Sequence, residues 1–384
     1  MIAGATRGTT NSHERVYRTA VTREISLAQS QRRTLPAVFR CMLLTRFEFC
    51  ILHARCAVGK PKVLSTRPLF PEARAILDGN FQMEYWTPSE RISRAELLKR
   101  LSDKEALVCL LTEKVDAELL AAAPNLRVAA TVSVGYDNID VAACTARKVV
   151  ATNTPGVLDD TTADFAWTLL MAIARRMGEG EAWLRSGTWP GWDLDQLCGG
   201  DIWGKTLGVL GFGRIGRGVA RRSLGFNMRV LYSDAVRAPA EVEKELHAEF
   251  VDRDRLFRES DFISLHVPLL PDTRHLISKD NLEKMKSTAY LVNTSRGPVV
   301  DEAALAEALE NKKIAGAALD VFEFEPKVHP NLIARKDVIL TPHIASASLE
   351  TRTKMAVMAA NNVVAYFQGK RPPNALNVDA LAKA

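Results

Sequence analysis

Residues 207–216 read Leu-Gly-Val-Leu-Gly-Phe-Gly-Arg-Ile-Gly, an apolar run that breaks into a glycine-rich turn. A Gly-x-Gly-x-x-Gly turn between a buried strand and a helix leaves a chain few folds to choose from. Gly211 permits the tight turn, Gly213 lets backbone approach a pyrophosphate, and Gly216 lets the helix pack on the strand. Phe212, Arg214 and Ile215 fill the turn, whose helix offers amide donors and a positive dipole end to phosphates. The next strand ends at Asp234, 23 residues after Gly211, where a carboxylate hydrogen-bonds a ribose 2′-hydroxyl. The same carboxylate repels a 2′-phosphate, so NAD is expected over NADP, with nearby Arg237 weakening that preference slightly. No Gly-Lys-Ser or Gly-Lys-Thr follows, which excludes a P-loop.

The surrounding pattern agrees with that turn. From Lys60 onward, apolar runs alternate with helical periodicity. Strands are expected at Lys62–Ser65, Phe81–Trp86, Ala106–Leu111, Leu126–Val132 and Val149–Ala151. Helices are expected at Pro71–Leu77, from Ser93 to Leu101 behind a capping box with Glu96, and at Asp116–Ala122. After a long apolar helix, Thr161–Arg176, and a Trp- and Gly-rich connection through Trp203, a second series begins. Its strands are expected near Leu207–Leu210, Arg229–Tyr232, Phe262–Leu265, Ala289–Val292, Gly316–Leu319 and Val338–Leu340. A last helix, Leu349–Phe367, stops at Gly369 and Pro372-Pro373. Such alternation builds parallel sheets covered by helices on both faces, here two doubly wound units.

Three strand ends carry chemistry. Asn293-Thr294-Ser295-Arg296 follows Ala289–Val292, and an Arg there can hold a carboxylate through two parallel bonds. Asp320 through Glu325 follows Gly316–Leu319, and Thr341-Pro-His343 follows Val338–Leu340. In open α/β sheets, ligands bind beyond the carboxyl ends of strands. A Glu beside a His favours imidazolium and keeps a proton available near neutral pH. His247, His266, His275 and His329 have no comparable setting, although His266 follows a strand and is placed to line the cofactor cleft.

Charge is distributed unevenly. The formal net charge of the chain is +6, and all of it falls in residues 1–59, with nine Arg, three Glu and no Lys. The rest holds 42 basic and 42 acidic side chains, which argues against a nucleic-acid footprint. No run approaches the roughly 18 apolar residues of a membrane span. No Cys or His cluster has metal-ligand spacing, so no metal is expected. Cys109, Cys144 and Cys198 are isolated thiols, as in a reducing, cytoplasmic setting. Residues 1–59, with Cys41, Cys50 and Cys56, are Arg- and Ser-rich and acid-poor. They read as translation from a misplaced start, an organelle transit peptide or a disordered extension.

From Lys60 to about Val378 the sequence resembles the D-isomer-specific 2-hydroxyacid dehydrogenases, most of all the glyoxylate/hydroxypyruvate reductases. The motifs that carry the resemblance are Val134-Gly-Tyr-Asp-Asn-Ile-Asp140, Asn153-Thr-Pro, Thr162-Ala-Asp164, Gly204-Lys-Thr-Leu-Gly208, Gly211–Gly216, Asn293-Thr-Ser-Arg-Gly297, Val300-Asp-Glu302 and Thr341-Pro-His-Ile344. The resemblance implies NAD(P)H-dependent reduction of a small 2-oxo acid to the D-2-hydroxy acid. Arg296 would bind its carboxylate, His343 would give the proton, and Glu325 would keep His343 protonated. Val134 and Gly135 amides and Leu111 would meet the substrate. Cofactor contacts would come from Phe212 through Ile215, Asp234, Thr294, Ser295, Ile344 and Ala345, the last standing where many relatives have Gly, so that its methyl would crowd the cofactor slightly. A Rossmann-type coenzyme domain (156–344) and a discontinuous flavodoxin-like substrate domain (60–155 and 345–384) would flank a cleft. The helix and arm around Thr161–Trp203 would mediate a homodimer. Phosphoglycerate or 2-ketogluconate dehydrogenases of the same family, and an NAD-sensing scaffold without turnover, are the alternatives.

Residues 1–59 carry neither core periodicity nor motif. Their deletion should leave the oligomeric state, activity and melting temperature unchanged; a truncated chain that fails to fold would contradict this.

Overall fold

The computed structural model describes residues 59–381, so all but Gly59 of the basic extension lies outside the described residues. Residues 61–381 form one unit built on two parallel sheets.

The first sheet contains β1 (Lys62–Ser65), β2 (Gln82–Tyr85), β3 (Ala106–Cys109), β4 (Val128–Thr131) and β5 (Val150–Thr152), in the order β2-β1-β3-β4-β5. This is the flavodoxin-like order, whose reversal between β1 and β3 opens a crevice at the strand ends. Strands β3, β4 and β5 are buried along their whole length, and so they read as unbroken apolar runs rather than alternating ones. Leu64, Leu107, Ala129 and Ala151 point to one face, beside Leu97, Leu101 and Leu119. Val63, Ala106, Val108, Val128 and Ala130 point to the other, against Ala73 and Leu77.

The C-terminal helix Leu349–Phe367 returns to that second face. Its stripe of Ala356, Ala359, Ala360 and Val363 packs there, because small side chains let a helix lie close to a sheet. The chain that follows seals the β5 edge. Asn377 accepts the Ala151 amide at 2.9 Å and donates to the Val149 carbonyl at 2.9 Å, so this edge is not left open.

The second sheet contains β6 (Thr206–Leu210), β7 (Arg229–Ser233), β8 (Ala248–Phe250), β9 (Phe262–Leu265), β10 (Tyr290–Asn293), β11 (Gly316–Leu319) and β12 (Val338–Leu340). Its order, β12-β11-β10-β9-β6-β7-β8, is the dinucleotide-binding order with one further strand, reversing between β6 and β9. Leu207, Val209, Tyr232, Phe262 and Val292 face the helix Asp159–Ala174. Leu231, Ile263, Leu265 and Leu291 face Leu256, Phe257, Leu282 and Leu305.

Two local expectations are corrected. Ser93 caps its helix by accepting the Glu96 amide at 3.2 Å, but the Glu96 carboxylate pairs with Arg100 at 2.6 Å instead of closing the box. A cation one turn along the helix outcompetes the capping amide for it. The connection after residue 176 holds an unforeseen helix, Met177–Arg185, entered through Arg176 in the left-handed conformation. The helix Asp159–Ala174 spends its apolar face on the second sheet, burying Ala163, Ala166, Trp167 and Leu170. The exposed apolar surface lies further on, at Met177, Leu184, Trp192, Leu194 and Trp203. Among the described residues, no helix is long and apolar enough to cross a membrane.

Candidate active site

Because β10, β11 and β12 are neighbours in one parallel sheet, the loops leaving them meet at one edge. Arg296, Glu325 and His343 are thereby brought together from positions 29 and 18 residues apart. His343 Nδ1 lies 3.0 and 3.2 Å from the two Glu325 carboxylate oxygens. Burial alone would raise the Glu325 carboxyl, but its hydrogen bond with His343, the His343 charge, the Phe322 amide and the charge of Arg296 together hold it below its ordinary value. Glu325 is therefore ionised throughout the neutral range, and it orients the ring so that Nε2 is the free nitrogen.

Buried polar groups shape each loop. Asn293, fully buried, accepts the Ser295 amide at 3.0 Å and hydroxyl at 2.8 Å and donates to the Arg296 carbonyl at 3.0 Å. This side-chain-built turn aims Arg296 out of the sheet. Gly297 lies against the Phe322 backbone, where a Cβ would sit 1.9 Å from the carbonyl carbon, so the first loop rests on the second. Asp320, also fully buried, accepts the Thr341 hydroxyl at 2.7 Å and the Ile344 and Ala345 amides at 2.8 Å each. Its carbonyl accepts the His343 amide at 2.9 Å. Desolvation raises the Asp320 carboxyl, opposed by those three donors and the His343 charge. The clamp keeps His343 at a φ of 54°, a conformation that a non-glycine residue holds only when its surroundings impose it. Glu302 accepts the Glu323 amide at 2.6 Å and the His329 amide at 3.0 Å, fixing both ends of the segment that carries Glu325.

The opposite wall comes from the first sheet. Leu111, partly exposed, sits in a turn after β3 that Glu113 organises by accepting the Leu110 amide at 2.8 Å and the Thr66 hydroxyl at 2.7 Å. After β4, Asn153 donates to the Val134 carbonyl at 2.7 Å. Among the described residues, the Val134 and Gly135 amides have no protein acceptor, and the Arg296 guanidinium lies directly over Gly135.

The glycine turn is packed tightly at its first and last glycines and open at the middle one. Gly211 has a φ of +90°, and a Cβ there would meet the His266 backbone at 2.6 Å. A Cβ on Gly216 would lie 2.1 Å from the Gly211 carbonyl oxygen, whereas one on Gly213 would face open space. The helix Arg214–Ser223 has no side-chain cap, leaving its first amides for an anion. Thr294 Oγ1 is buried without a protein partner. Phe212 turns its ring inward, stacked on Tyr232 at 4.0 Å, and its amide donates to Asp234 at 2.6 Å. Arg237 is held by Glu243 through two bonds of 2.9 and 3.0 Å. His266 bonds Ser264 at 2.8 Å, and desolvation drives its imidazole well below the ordinary range, so it stays neutral.

A profile of the D-isomer-specific 2-hydroxyacid dehydrogenase NAD-binding domain matches residues 167–345. A glyoxylate reductase of Korarchaeum cryptofilum is 48% identical over 325 residues, 84% of this chain and 97% of the relative. The chain belongs to the D-isomer-specific 2-hydroxyacid dehydrogenase family. A Thermus thermophilus crystal structure is similar at a TM-score of 0.78 and 40% identity, covering 82% of this chain and 99% of that one. The NADPH-dependent glyoxylate/hydroxypyruvate reductase of Sinorhizobium meliloti, crystallised with NADP and malonate, is similar at a TM-score of 0.74 and 32% identity, covering 83% and 97%.

As a dehydrogenase of this family, the chain carries Arg296, Glu325 and His343 inside the matched domain. The sequence pattern gives no role to the buried groups that hold the loops, Asn293, Asp320 and Glu113. Their signal is a polar side chain at or just after the end of an apolar strand. Replacing Glu302 with Gln removes one acceptor and turns an amide group toward a backbone N–H. Glu302→Gln should therefore cost about 2 kcal/mol of stability, lowering Tm by roughly 4 °C in calorimetry. An unchanged Tm would mean that the two amides do not depend on the carboxylate.

Proposed function

We propose that this oxidoreductase reduces glyoxylate or hydroxypyruvate to the D-2-hydroxy acid, with NADH preferred over NADPH. The observation that carries the reading is the His343–Glu325 pair, set beside Arg296 at the ends of adjacent strands. Glyoxylate is favoured as the substrate by the relatives' names. The Gly211–Gly216 turn, the uncapped helix end, Asp234 and Thr294 would hold the dinucleotide. When bound, its reduced nicotinamide supplies the hydride.

Arg296 binds the 2-oxo acid carboxylate and fixes the carbonyl, helped by the free amides of Val134 and Gly135. His343 donates the proton on Nε2 to the carbonyl oxygen, because Nδ1 is committed to Glu325. Glu325 stays ionised and stabilises the imidazolium before the transfer. Residues 60–155 with 345–384 would act as the substrate domain and 156–344 as the coenzyme domain. Their closure excludes water from the reacting atoms. The exposed apolar arm from Met177 to Trp203 supports a homodimer, and the unpaired thiols of Cys109, Cys144 and Cys198 among the described residues support a cytoplasmic setting.

Asp234 supports NADH, and Arg237, tied to Glu243, is drawn away from a 2′-phosphate. Steady-state kcat/KM should favour NADH, and Asp234→Ser should narrow the ratio by removing the repelling carboxylate. A wild-type preference for NADPH would refute this role.

His343→Ala should lower kcat by about 10²–10⁴-fold with NADH affinity unchanged, as measured by fluorescence titration. Arg296→Lys keeps the charge but loses the planar fork, so it should raise KM for the 2-oxo acid and lower kcat as well. A panel of 2-oxo acids assayed with NADH tests the whole reading. NADH binding without turnover of any of them would overturn it.

A further inference from the structure

Arg296 has a partner that the roles described so far leave unexplained. Its Nε donates to Asp137 Oδ1 at 2.9 Å, and its Nη1 donates to the Ser295 carbonyl at 2.8 Å. Asp137 belongs to the loop after β4 in the first sheet, Arg296 to the loop after β10 in the second. The ion pair therefore spans the cleft, joining residues 159 apart in the chain. Gly135 completes the arrangement: a Cβ there would lie 1.4 Å from Arg296 Nη2 and 3.1 Å from Asp137 Oδ1. Only a residue without a side chain lets the guanidinium lie this close against the loop.

The loop itself is pinned. The Ile139 amide donates to the Tyr136 carbonyl at 2.8 Å. Asn138 donates to the carbonyls of Leu110 and Glu113 at 3.1 and 2.8 Å. Asp137 is thus presented from a fixed backbone, and its carboxylate selects which edge of the guanidinium stays free. With Nε taken, a carboxylate ligand must approach from the Nη end, where Nη2 has no protein acceptor among the described residues.

We propose that Asp137 is a positioning residue, one that ties Arg296 across the cleft and turns its Nη edge toward the substrate carboxylate. This rests on the 2-oxo acid reading above. The Arg296 side chain is 23% exposed and that of Asp137 45%, and ion pairs this open add little to stability. Its effect is orientation. Because its partners belong to different sheets, the pair also breaks when the sheets part, so substrate capture and cleft closure depend on the same bond.

The test compares wild type with Asp137→Asn, Asp137→Ala, Asp137→Glu, Arg296→Lys and the Asp137→Asn/Arg296→Lys double variant. Each is measured for glyoxylate kinetics at saturating NADH, NADH affinity alone, oxamate affinity of the NADH-loaded protein, and Tm. Asp137→Asn and Asp137→Ala should raise KM for glyoxylate and weaken oxamate by about tenfold, with kcat falling less than about threefold. NADH affinity and Tm should not move, and Asp137→Glu should restore most of the loss. In the Arg296→Lys background, Asp137→Asn should add little, since contacting partners are not additive. Unchanged or tighter glyoxylate and oxamate binding overturns the proposal, as does additivity with Arg296→Lys or a matching loss of NADH affinity. A wild type that binds oxamate in an Asp137-dependent way but turns over nothing keeps this inference and removes the reductase reading. One that binds neither overturns both.

Discussion

In a parallel sheet every strand ends at the same edge, and the site described here depends on that constraint. Strands β10, β11 and β12 are paired in register as neighbours, so three loops remote in sequence are forced to converge. The chain need only place an Arg, a Glu and a His after those three strands to assemble them. The reversal of strand order between β6 and β9 opens the crevice beside them, where the glycine turn lies. The first sheet repeats the device, and its crevice presents the Leu111 turn and the Val134–Asp137 loop from the other side.

Convergence alone leaves the loops free to move, and buried polar groups remove that freedom. Asn293 builds the turn before Arg296, Glu302 holds the Glu325 segment at both ends, and Asp320 gathers four donors from the His343 loop onto its side chain and carbonyl. A carboxylate buried at a strand end is costly unless its oxygens are all bonded. That cost makes the arrangement specific: any other loop path leaves Asp320 or Glu302 unpaired. The left-handed His343 backbone is held against its own preference by the same clamp.

The sequence shows the fold where burial is complete and hides it where burial is partial. Phe262–Leu265, Gly316–Leu319 and Val338–Leu340 fall on the strands themselves, since apolar runs bounded by polar residues leave little choice. β8 went unseen because it is short, lies at the sheet edge and exposes Glu249 and Phe250. The helix Met177–Arg185 buries nothing, so no periodic face announces it. At the site, the chemically conspicuous residues were legible from their places after strands. Asp137 was not, because a half-exposed Asp in a turn looks the same in sequence whether it meets solvent or an Arg from another sheet.

The central proposal is that the Glu325 carboxylate, paired with His343 Nδ1, favours the imidazolium that gives the reduction its proton. The most direct measurement is the pH dependence of kcat/KM for glyoxylate in wild type and Glu325→Gln. Glu325, held below its ordinary value, remains an anion through the neutral range, and a basic limb is expected where the proton donor is lost. Gln removes the charge that favours imidazolium, so the account predicts a basic limb shifted to lower pH with activity retained on its acid side. A limb that does not move, in an enzyme that His343→Ala inactivates, would contradict it.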